Sequence, residues 1–256
     1  MELAKNQEHI VTIEGYGEGG MGVARIDGRV VFVHGALRGE TCRVLILKTL
    51  KSVAFAKVLE VIEPSGVRVE SDCPYFPRCG GCTYRHMSYE EELCLKKQRV
   101  QDNLARIGGS AVVVEEILGA ADTLRYRNKA QYPVSKDGRV GFYRARTHEV
   151  IECEQCLLVK SEADAAAEAL REYMRRCRVA GYDEKTGRGL VRHLYVRSNA
   201  AGESLICVLV NGNNLPQEET LVALLRGTCP KCTGIVLGTN TKKGNVILGD
   251  RYRTLW

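Results

Sequence analysis

The sequence lacks any run approaching the roughly 18 consecutive apolar residues that a membrane-spanning helix requires. Its opening, MELAKNQEHIVTIEG, contains neither the apolar core nor the small-residue cleavage site of a secretory signal peptide. It also lacks internal repeats, low-complexity tracts and the Walker, HExxH and GxSxG motifs. These absences predict a cytoplasmic protein that does not associate with membranes and has no complete active site of its own.

Cysteine is unusually abundant. The eleven cysteines are Cys42, Cys73, Cys79, Cys82, Cys94, Cys153, Cys156, Cys177, Cys207, Cys229 and Cys232. Because the count is odd and no export signal precedes them, a disulfide framework is not expected. Metal ligation explains some of these cysteines better, and the others are expected to be scattered buried thiols.

The strongest motif is CPYFPRCGGC, which places Cys73, Cys79 and Cys82 in one short loop. Gly80-Gly81 allows the backbone to fold closely around a bound centre. Tetrahedral zinc and a four-iron cluster both require four ligands of this kind, so a fourth must come from elsewhere. The spacing alone leaves five candidates: Cys94, Cys153, Cys156, Cys229 and Cys232.

Three weaker patterns have ordinary interpretations. The Cys229/Cys232 pair lies between a predicted helix and strand, unlike a thioredoxin-type redox pair, and is interpreted as unligated thiols. GYGEGGMG contains a formal GxGxxG, but strand-like sequence follows instead of the helix that a dinucleotide site needs, so its glycines are interpreted as turns. The histidines without a partner at an obvious spacing are interpreted as ordinary surface or core residues: His34, His86, His148 and His193.

Short β-rich runs separated by turns occupy residues 8 to 63. They are EHIVTIEG, GVARIDG, RVVFVHGA, ETCRVLILKTL and SVAFAKVLEVIE. Asp27-Gly28 between two of them is a strong hairpin signal, and Pro64-Ser65-Gly66 marks a boundary. The pattern predicts an OB-like barrel over residues 1–64, a shape often used to bind nucleic acids.

Residues 65–256 are predicted to form a mixed α+β domain. A helix is expected over 88–109, with Ser88 as N-cap and Gly108-Gly109 as the stop. A second is expected over 161–181, capped by Ser161 and closed by Gly181, and a third over 216–227. The expected strands are AVVVEEILG, KAQYPVS, RVGFYRA, HEVIE, LVRHLYVRS, SLICVLVNG, TGIVLGT and NVILGD. The chain then stops abruptly at RYRTLW, which suggests part of a longer protein.

Basic residues are concentrated in two segments. Residues 121–150 contain seven basic and three acidic residues, and residues 171–197 contain eight and three. Such local excess favours a polyanionic partner, because neutralised phosphates release counterions, although a solvated surface is the plain alternative.

Taken together, these segments resemble the RNA uracil-5 methyltransferases, and most closely the iron–sulfur type that acts on 23S rRNA. GYGEGGMGVARIDGRVVFVHGALRGE resembles the TRAM domain, an RNA-binding barrel. Cys73, Cys79 and Cys82 match three clustered ligands of a 4Fe–4S cluster, and GFYRARTHEVIECEQC places Cys156 as the fourth, with Cys153 as an extra cysteine. Arg38 and Glu92 depart from the family pattern at positions where proline and glutamine are usual.

The resemblance implies the RNA-binding and iron–sulfur portion of an S-adenosylmethionine-dependent methyltransferase. The family's S-adenosylmethionine site and catalytic residues lie in a further domain that matches nothing here, so the chain alone is expected to be inactive. Helix 88–109 is expected to pack on that absent domain. The expected partner is structured rRNA, with tRNA as the alternative. The basic residues expected to contact phosphates are Arg125, Arg127, Lys129, Arg144 and Arg146.

Two rival interpretations differ in chemistry. The first is a stand-alone RNA-binding protein with a structural zinc site, which differs from the leading hypothesis in the metal bound. The second is a radical S-adenosylmethionine enzyme, which needs a CxxxCxxC run. Here the first gap contains five residues, so this rival is disfavoured.

Overall fold

The computed structural model describes residues 3–256, so Met1 and Glu2, at the start of the predicted first domain, lie outside it. The chain divides into two compact units. The first runs up to Pro74 and resumes over Cys82–Gly119, and the second comprises Tyr75–Gly81 and Ala120–Trp256. This division differs from the predicted boundary at residue 64, because the first helix belongs to the same unit as the barrel.

The first unit is built on one six-stranded sheet with the order β1-β5-β6-β4-β3-β2. Its strands are β1 (Glu8–Thr12), β2 (Gly15–Tyr16), β3 (Gly22–Ile26), β4 (Arg29–His34), β5 (Thr41–Thr49) and β6 (Val53–Glu63). Strands β4 and β6 pair in parallel, and the other pairs are antiparallel. The five predicted strand runs are confirmed, and the sheet forms a β half-barrel.

Alternation along the strands determines the core of this unit. Val31 and Val33 on β4 are fully buried, as are Ala54 and Ala56 on β6, while the residues between them face outward. Asp27 and Gly28 both have positive φ, which is the geometry of a two-residue hairpin turn. The glycine-rich segment leads into strand β3 and not into an α-helix. Its interpretation as turns holds for Gly20, which ends a short 3-10 turn, but Gly15 lies in strand β2.

Helix α1 (Tyr89–Arg106) begins where the sequence predicts, and Ser88 caps it by accepting a hydrogen bond from the Glu91 N–H. The Glu91 side chain is buried, and it accepts hydrogen bonds from the Tyr16 hydroxyl (2.9 Å) and from Arg38 Nη2 (3.0 Å). Leu95, one turn further along, is buried in a small apolar cluster against which Tyr16 packs. These contacts explain why the helix belongs to the barrel unit.

Residues 111–119 do not form the predicted strand. Side chains of α1 bind their backbone: Gln101 accepts from the Val114 N–H (2.7 Å) and donates to the Val112 carbonyl (3.0 Å), and Lys97 donates to the Glu115 carbonyl (2.7 Å). Because these backbone groups are satisfied by a helix, no sheet partner is needed. The outer part of the helical stripe, which was expected to pack on an absent domain, is exposed at Val100 and Ile107.

The second unit contains a five-stranded mixed sheet with the order β13-β12-β11-β10-β7, and a separate hairpin, β8-β9. Its elements are β7 (Lys129–Pro133), β8 (Gly141–Tyr143), β9 (Val150–Glu152), α2 (Ser161–Cys177), β10 (Val191–Ser198), β11 (Ser204–Val210), α3 (Glu218–Thr228), β12 (Cys232–Thr239) and β13 (Arg251–Thr254). Strands β11 and β12 pair in parallel, and the other neighbouring strands of this sheet are antiparallel. The predicted mixed fold class is confirmed.

Helix α2 buries an alanine-rich face, including Ala163, Ala166 and Ala167, in the core that contains β10 and β11. Its ends differ from the prediction. Lys160 occupies the N-cap position without a side-chain hydrogen bond, and the helix ends at Cys177, followed by Arg178 as the C-cap with a φ of +53°. Gly181 has a different role, because a Cβ there would lie 1.9 Å from the carbonyl oxygen of Ser135.

At the end of the chain, the predicted strand NVILGD is irregular, and RYRT forms edge strand β13. Asn240 explains the irregularity, because its side-chain amide donates to the carbonyls of Val246 (2.6 Å) and Ile247 (3.0 Å) in place of a strand partner. No helix within residues 3–256 combines the length and the apolar character needed to cross a bilayer.

Candidate functional site

The predicted cluster cysteines are distributed over both units. Cys73 and Cys82 belong to the first unit, and Cys79 and Cys156 to the second. All four are partly exposed, whereas Cys153 is buried. None of the eleven cysteines, all of which lie within residues 3–256, is joined in a disulfide.

Cys79 lies in a short segment fixed against the end of β8. Its N–H donates to the Tyr75 carbonyl (2.8 Å), and the Gly80 N–H donates to the Tyr143 carbonyl (2.9 Å). A Cβ at position 80 would lie 2.9 Å from that same oxygen and 3.0 Å from the backbone of Ala145. Glycine is therefore required at this position by a close backbone approach that holds Cys79 in place.

The turn that contains Cys153 and Cys156 is held at three backbone positions. The Cys153 carbonyl accepts a long hydrogen bond from Arg171 Nη1 (3.4 Å), and the Glu154 N–H donates to the Tyr75 hydroxyl (3.0 Å). The Cys156 N–H donates to the Asp164 carboxylate (3.1 Å). The Tyr75 contact connects this turn with the segment that carries Cys79.

Asp164 organises the interior beside this turn. Its carboxylate is buried on α2 and accepts hydrogen bonds from the Tyr132 hydroxyl (3.1 Å) and from Arg125 Nη1 as well as from Cys156. Burial, and then the negative charge of Asp164, raise the pKa of Tyr132, so its hydroxyl remains a donor. The Arg125 guanidinium, predicted to contact RNA phosphates, is partly exposed and forms an ion pair with this buried carboxylate.

Replacing Asp164 by asparagine is expected to lower the free energy of unfolding by about 1.5–3 kcal/mol, the usual contribution of hydrogen bonds to a charged group. The substitution preserves the shape of the side chain and leaves Arg125 without its counter-charge. Urea unfolding of the variant measures the loss. Asp137→Asn, which changes a carboxylate paired with Arg139 at the surface, is the control and should change stability little. Equal losses in the two variants would contradict the assignment.

The two thiols of the turn differ in protonation. A hydrogen bond from Cys153 stabilises the Cys156 thiolate and holds the pKa of Cys156 below its usual range, assisted by the backbone N–H groups of Leu158 and Val159. The same hydrogen bond, together with burial, raises the pKa of Cys153. Since the thiolate is the form that binds metals, Cys156 is the better metal ligand of the two, and Cys153 is the better hydrogen-bond donor.

Within residues 3–256, no group of three or more cysteine, histidine, aspartate or glutamate side chains is assembled in a metal-binding arrangement. The four thiols fit an iron–sulfur cluster in their donor chemistry and in their partial exposure. The ligand set Cys73, Cys79, Cys82 and Cys156 therefore stays a prediction.

The other predicted RNA-contact residues lie on the surface of the second unit. Lys129 and Arg146 are exposed, and Arg127 is partly exposed. Arg144 is exposed but is paired with Glu149 (3.0 Å), which offsets part of its charge. Together with Arg125, this pairing shows that a count of basic residues overstates the charge available to a partner.

An aromatic pair that was not predicted from the sequence lies on the outward face of the first unit. Phe32 on β4 and Phe55 on β6 are direct strand partners, and their rings stack with centroids 5.6 Å apart. Both are partly exposed, and the next outward-facing pair is His34 and Lys57. The signal was available, because phenylalanine alternates with buried residues in VVFVH and VAFAK and must therefore face outward.

A known family model matches the sheet of the first unit. The family model described as "TRAM domain" matches residues 4–59, which include all of β1 to β5 and most of β6. Residues 4–59 are a TRAM domain. The Phe32–Phe55 pair is part of its surface.

Similarity to known proteins is not confined to the TRAM domain but covers nearly the whole chain. Two are named as uncharacterized RNA methyltransferases, one from Halalkalibacterium halodurans and one from Clostridium tetani. Each is 39% identical, over 98% and 99% of this chain and 56% of the relative. The chain thus spans little more than half the length of the curated relatives it matches. It is related to RNA methyltransferases over that part of their length.

A solved structure shares the fold across both units. It is the Pyrococcus abyssi tRNA (uracil-54, C5)-methyltransferase in complex with S-adenosyl-L-homocysteine. The TM-score is 0.72 at 20% identity, and the match covers 95% of this chain and 55% of that one. At this identity the likeness shows a shared fold.

Proposed function

We propose that this chain is the RNA-binding and iron–sulfur portion of an S-adenosylmethionine-dependent RNA (uracil-5-)-methyltransferase that acts on 23S rRNA. The observation that carries the proposal is a TRAM domain followed by an α+β unit, in a chain related along nearly its whole length to RNA methyltransferases. Methyl transfer itself belongs to the complete enzyme. It needs a nucleophile, a base and a donor site held within ångströms of one another, and the chain alone is expected to be inactive.

The TRAM domain contacts RNA through its outward face. The Phe32–Phe55 pair presents aromatic surface on which an unpaired base can stack, and Lys57 on the same strand as Phe55 supplies positive charge. Stacking of this kind contributes about 1–3 kcal/mol per base and tolerates any sequence. The barrel therefore supplies affinity, while the choice of uridine depends on the complete enzyme.

The second unit contributes phosphate contacts through Arg127, Lys129, Arg144 and Arg146. Lys129 and Arg146 are exposed and carry most of this contribution, because Arg144 shares its charge with Glu149. Such contacts position a nucleic acid without reading its sequence.

Four cysteines, Cys73, Cys79, Cys82 and Cys156, hold a 4Fe–4S cluster in this proposal. The support is their thiol chemistry and the backbone hydrogen bonds that fix Cys79 and Cys156. Uracil methylation requires no electron transfer, so the cluster, when bound, has a structural role. It would stabilise the cysteine-rich segment 71–87, most of which is irregular and lies outside a hydrophobic core.

Salt-dependent RNA binding tests the proposal. We expect the double variant Arg127→Glu/Arg146→Glu to bind a 23S rRNA fragment more weakly than the parent. Its slope of log affinity against log salt should be smaller by about 0.9 for each phosphate that the variant no longer neutralises. Arg175→Glu/Arg176→Glu is the matched control, because it changes the net charge equally at residues that already pair with Glu172.

Comparison of the two double variants distinguishes the loss of specific RNA contacts from the general effect of a lower net charge. Equal weakening in both would overturn the assignment of this surface. Binding of an unmodified tRNA transcript more tightly than the rRNA fragment would replace rRNA by tRNA as the substrate.

A further inference from the structure

The second unit contains a cleft that the proposed chemistry does not use. Its volume is about 470 Å³, within the range of sites that hold small organic ligands. Three turns surround it: the one between β7 and β8, the one between β8 and β9, and the one that follows α2. The floor is formed by β10.

The floor carries two consecutive side chains, Arg192 and His193, at a bulge in β10. Side chains of successive strand residues normally point to opposite faces, and the bulge allows both to line the cleft. Arg192 is only 3% exposed and His193 only 7%. Bulges of this kind are frequent beside functional sites.

Both side chains have a buried polar atom without a partner. Arg192 is held by the carbonyls of Asn240 and Lys242, each 2.7 Å from Nη1, and it lies over the Tyr182 ring. Within residues 3–256, however, Arg192 Nε and His193 Nδ1 have no hydrogen-bond partner. Leaving such atoms unsatisfied in a fold is costly, so a ligand that binds them gains affinity.

The wall of the cleft is aromatic and held in place. The rings of Tyr143 and His148 stack with centroids 5.1 Å apart and planes inclined by 22°. Glu184 fixes both, because it accepts from the Tyr143 hydroxyl (3.5 Å) and pairs with His148. The His148 side chain is 56% exposed, which leaves aromatic surface open to a ligand.

The charge around the cleft is balanced. Four basic and four acidic residues line it: Lys136, Arg139, Lys185 and Arg192, and Asp137, Glu149, Asp183 and Glu184. A plain phosphate or sulfate site would need an excess of positive charge. Burial lowers the pKa of His193 to about 4, so its imidazole is neutral at pH 7 and can accept as well as donate.

We propose that this cleft binds one unpaired nucleotide of an RNA strand. The base lies against Tyr143 and His148, and its polar edge meets Arg192 Nε and His193 Nδ1. A nucleobase fits because it is flat, uncharged, and carries both donors and acceptors on its edge. The backbone phosphate lies at the open side, near Lys136 and Lys185. The inference rests on the proposed function only in taking RNA as the source of the nucleotide.

NMR titration of the 256-residue chain tests this inference. Uridine 5′-monophosphate and adenosine 5′-monophosphate are added separately, with ribose 5-phosphate as the control for anion binding. We expect at least one of the two nucleotides to shift the backbone amide resonances of His148, Arg192 and His193, where the base would lie, and ribose 5-phosphate, which has no base, to leave these resonances unchanged. Tyr143→Ala should weaken nucleotide binding by about tenfold, whereas Tyr143→Phe keeps the ring and should bind within about twofold of the parent.

A second variant, His148→Ala, keeps the test decisive if Tyr143→Ala fails to fold, because His148 is largely exposed. Equal shifts with ribose 5-phosphate would show an anion site and overturn the inference. So would shifts confined to residues outside the cleft, or none with either nucleotide. A chain that binds rRNA through Arg127 and Arg146 but shows no cleft shifts refutes the inference alone and leaves the proposed function standing.

Discussion

Replacing Arg68 by methionine is expected to lower the free energy of unfolding by about 3 kcal/mol. Arg68 Nη2 donates to Glu40 (2.8 Å) and to the Gly35 carbonyl (2.7 Å), and Glu40 also accepts from the Leu37 N–H (2.7 Å). Glu40 is fully buried, so the variant would leave an uncompensated charge inside the TRAM domain. The expected loss is at the low end of the range for buried pairs, because the Arg68 side chain is 24% exposed.

The free energy of unfolding that Arg68→Met loses should depend on pH, and the loss should be smaller at low pH. Burial alone raises the pKa of Glu40, but hydrogen bonds from Arg68 and the Leu37 N–H outweigh it and hold the pKa below the ordinary 4.5. The stability that Glu40 contributes is therefore present above pH 4.5 and is lost as the pH falls through its lower, folded-state value. Without Arg68, burial is less opposed and favours the protonated carboxyl. The difference in the free energy of unfolding between the parent and Arg68→Met should therefore be smaller in acid than at neutral pH.

Urea unfolding at pH 7 and at pH 4 measures both effects. Arg43→Met is the matched control, because Arg43 forms ion pairs with Glu8 and Glu60 at the surface. It should unfold close to the parent at either pH. A loss for Arg68→Met that matched the control, or that grew as the pH fell, would contradict the role assigned to the buried pair.

Replacing Cys156 by alanine is expected to remove most of the iron from anaerobically purified protein, whereas Cys153→Ala is expected to keep it. A four-cysteine cluster loses one of its four ligands in the first variant. Cys156 is partly exposed and its backbone is fixed by Asp164, while Cys153 is only 2% exposed. Iron per chain, measured by a colorimetric assay, distinguishes the two variants.

Cys207→Ala provides a control for the general effect of removing a thiol, since Cys207 is buried on β11 in the second unit. It should keep the iron of the parent. Retention of iron by Cys156→Ala together with its loss from Cys153→Ala would reassign the fourth ligand to Cys153.

The barrel could be predicted from the sequence because its signals are local. Strand alternation, the Asp27-Gly28 turn and the Ser88 cap each act within a few residues, and the structure confirms them. The strand predicted over 111–119 was wrong for a non-local reason. Gln101 and Lys97 on α1 satisfy the backbone of that segment, and nothing in its own sequence indicates a neighbouring helix.

The candidate site could be predicted only where its residues form a recognisable sequence motif. The spacing of the cysteines is enough to identify Cys79 as a candidate ligand. The hydrogen bond from the Cys156 N–H to Asp164, in contrast, depends on a residue of α2 that no sequence motif marks. Arg125 was assigned to RNA from local charge, and the carboxylate that neutralises it lies 39 residues away in sequence. The cleft was missed because a strand bulge and three separate turns assemble it.

Metal analysis of the parent chain, purified without exposure to air, is the most direct test of the proposed iron–sulfur centre. We expect brown protein with about four irons and four acid-labile sulfides per chain, as for a cubane cluster held by four cysteines. Stoichiometric zinc without iron would contradict the proposal. That result would favour a stand-alone RNA-binding protein with a structural zinc site in place of the iron–sulfur portion of a uracil methyltransferase.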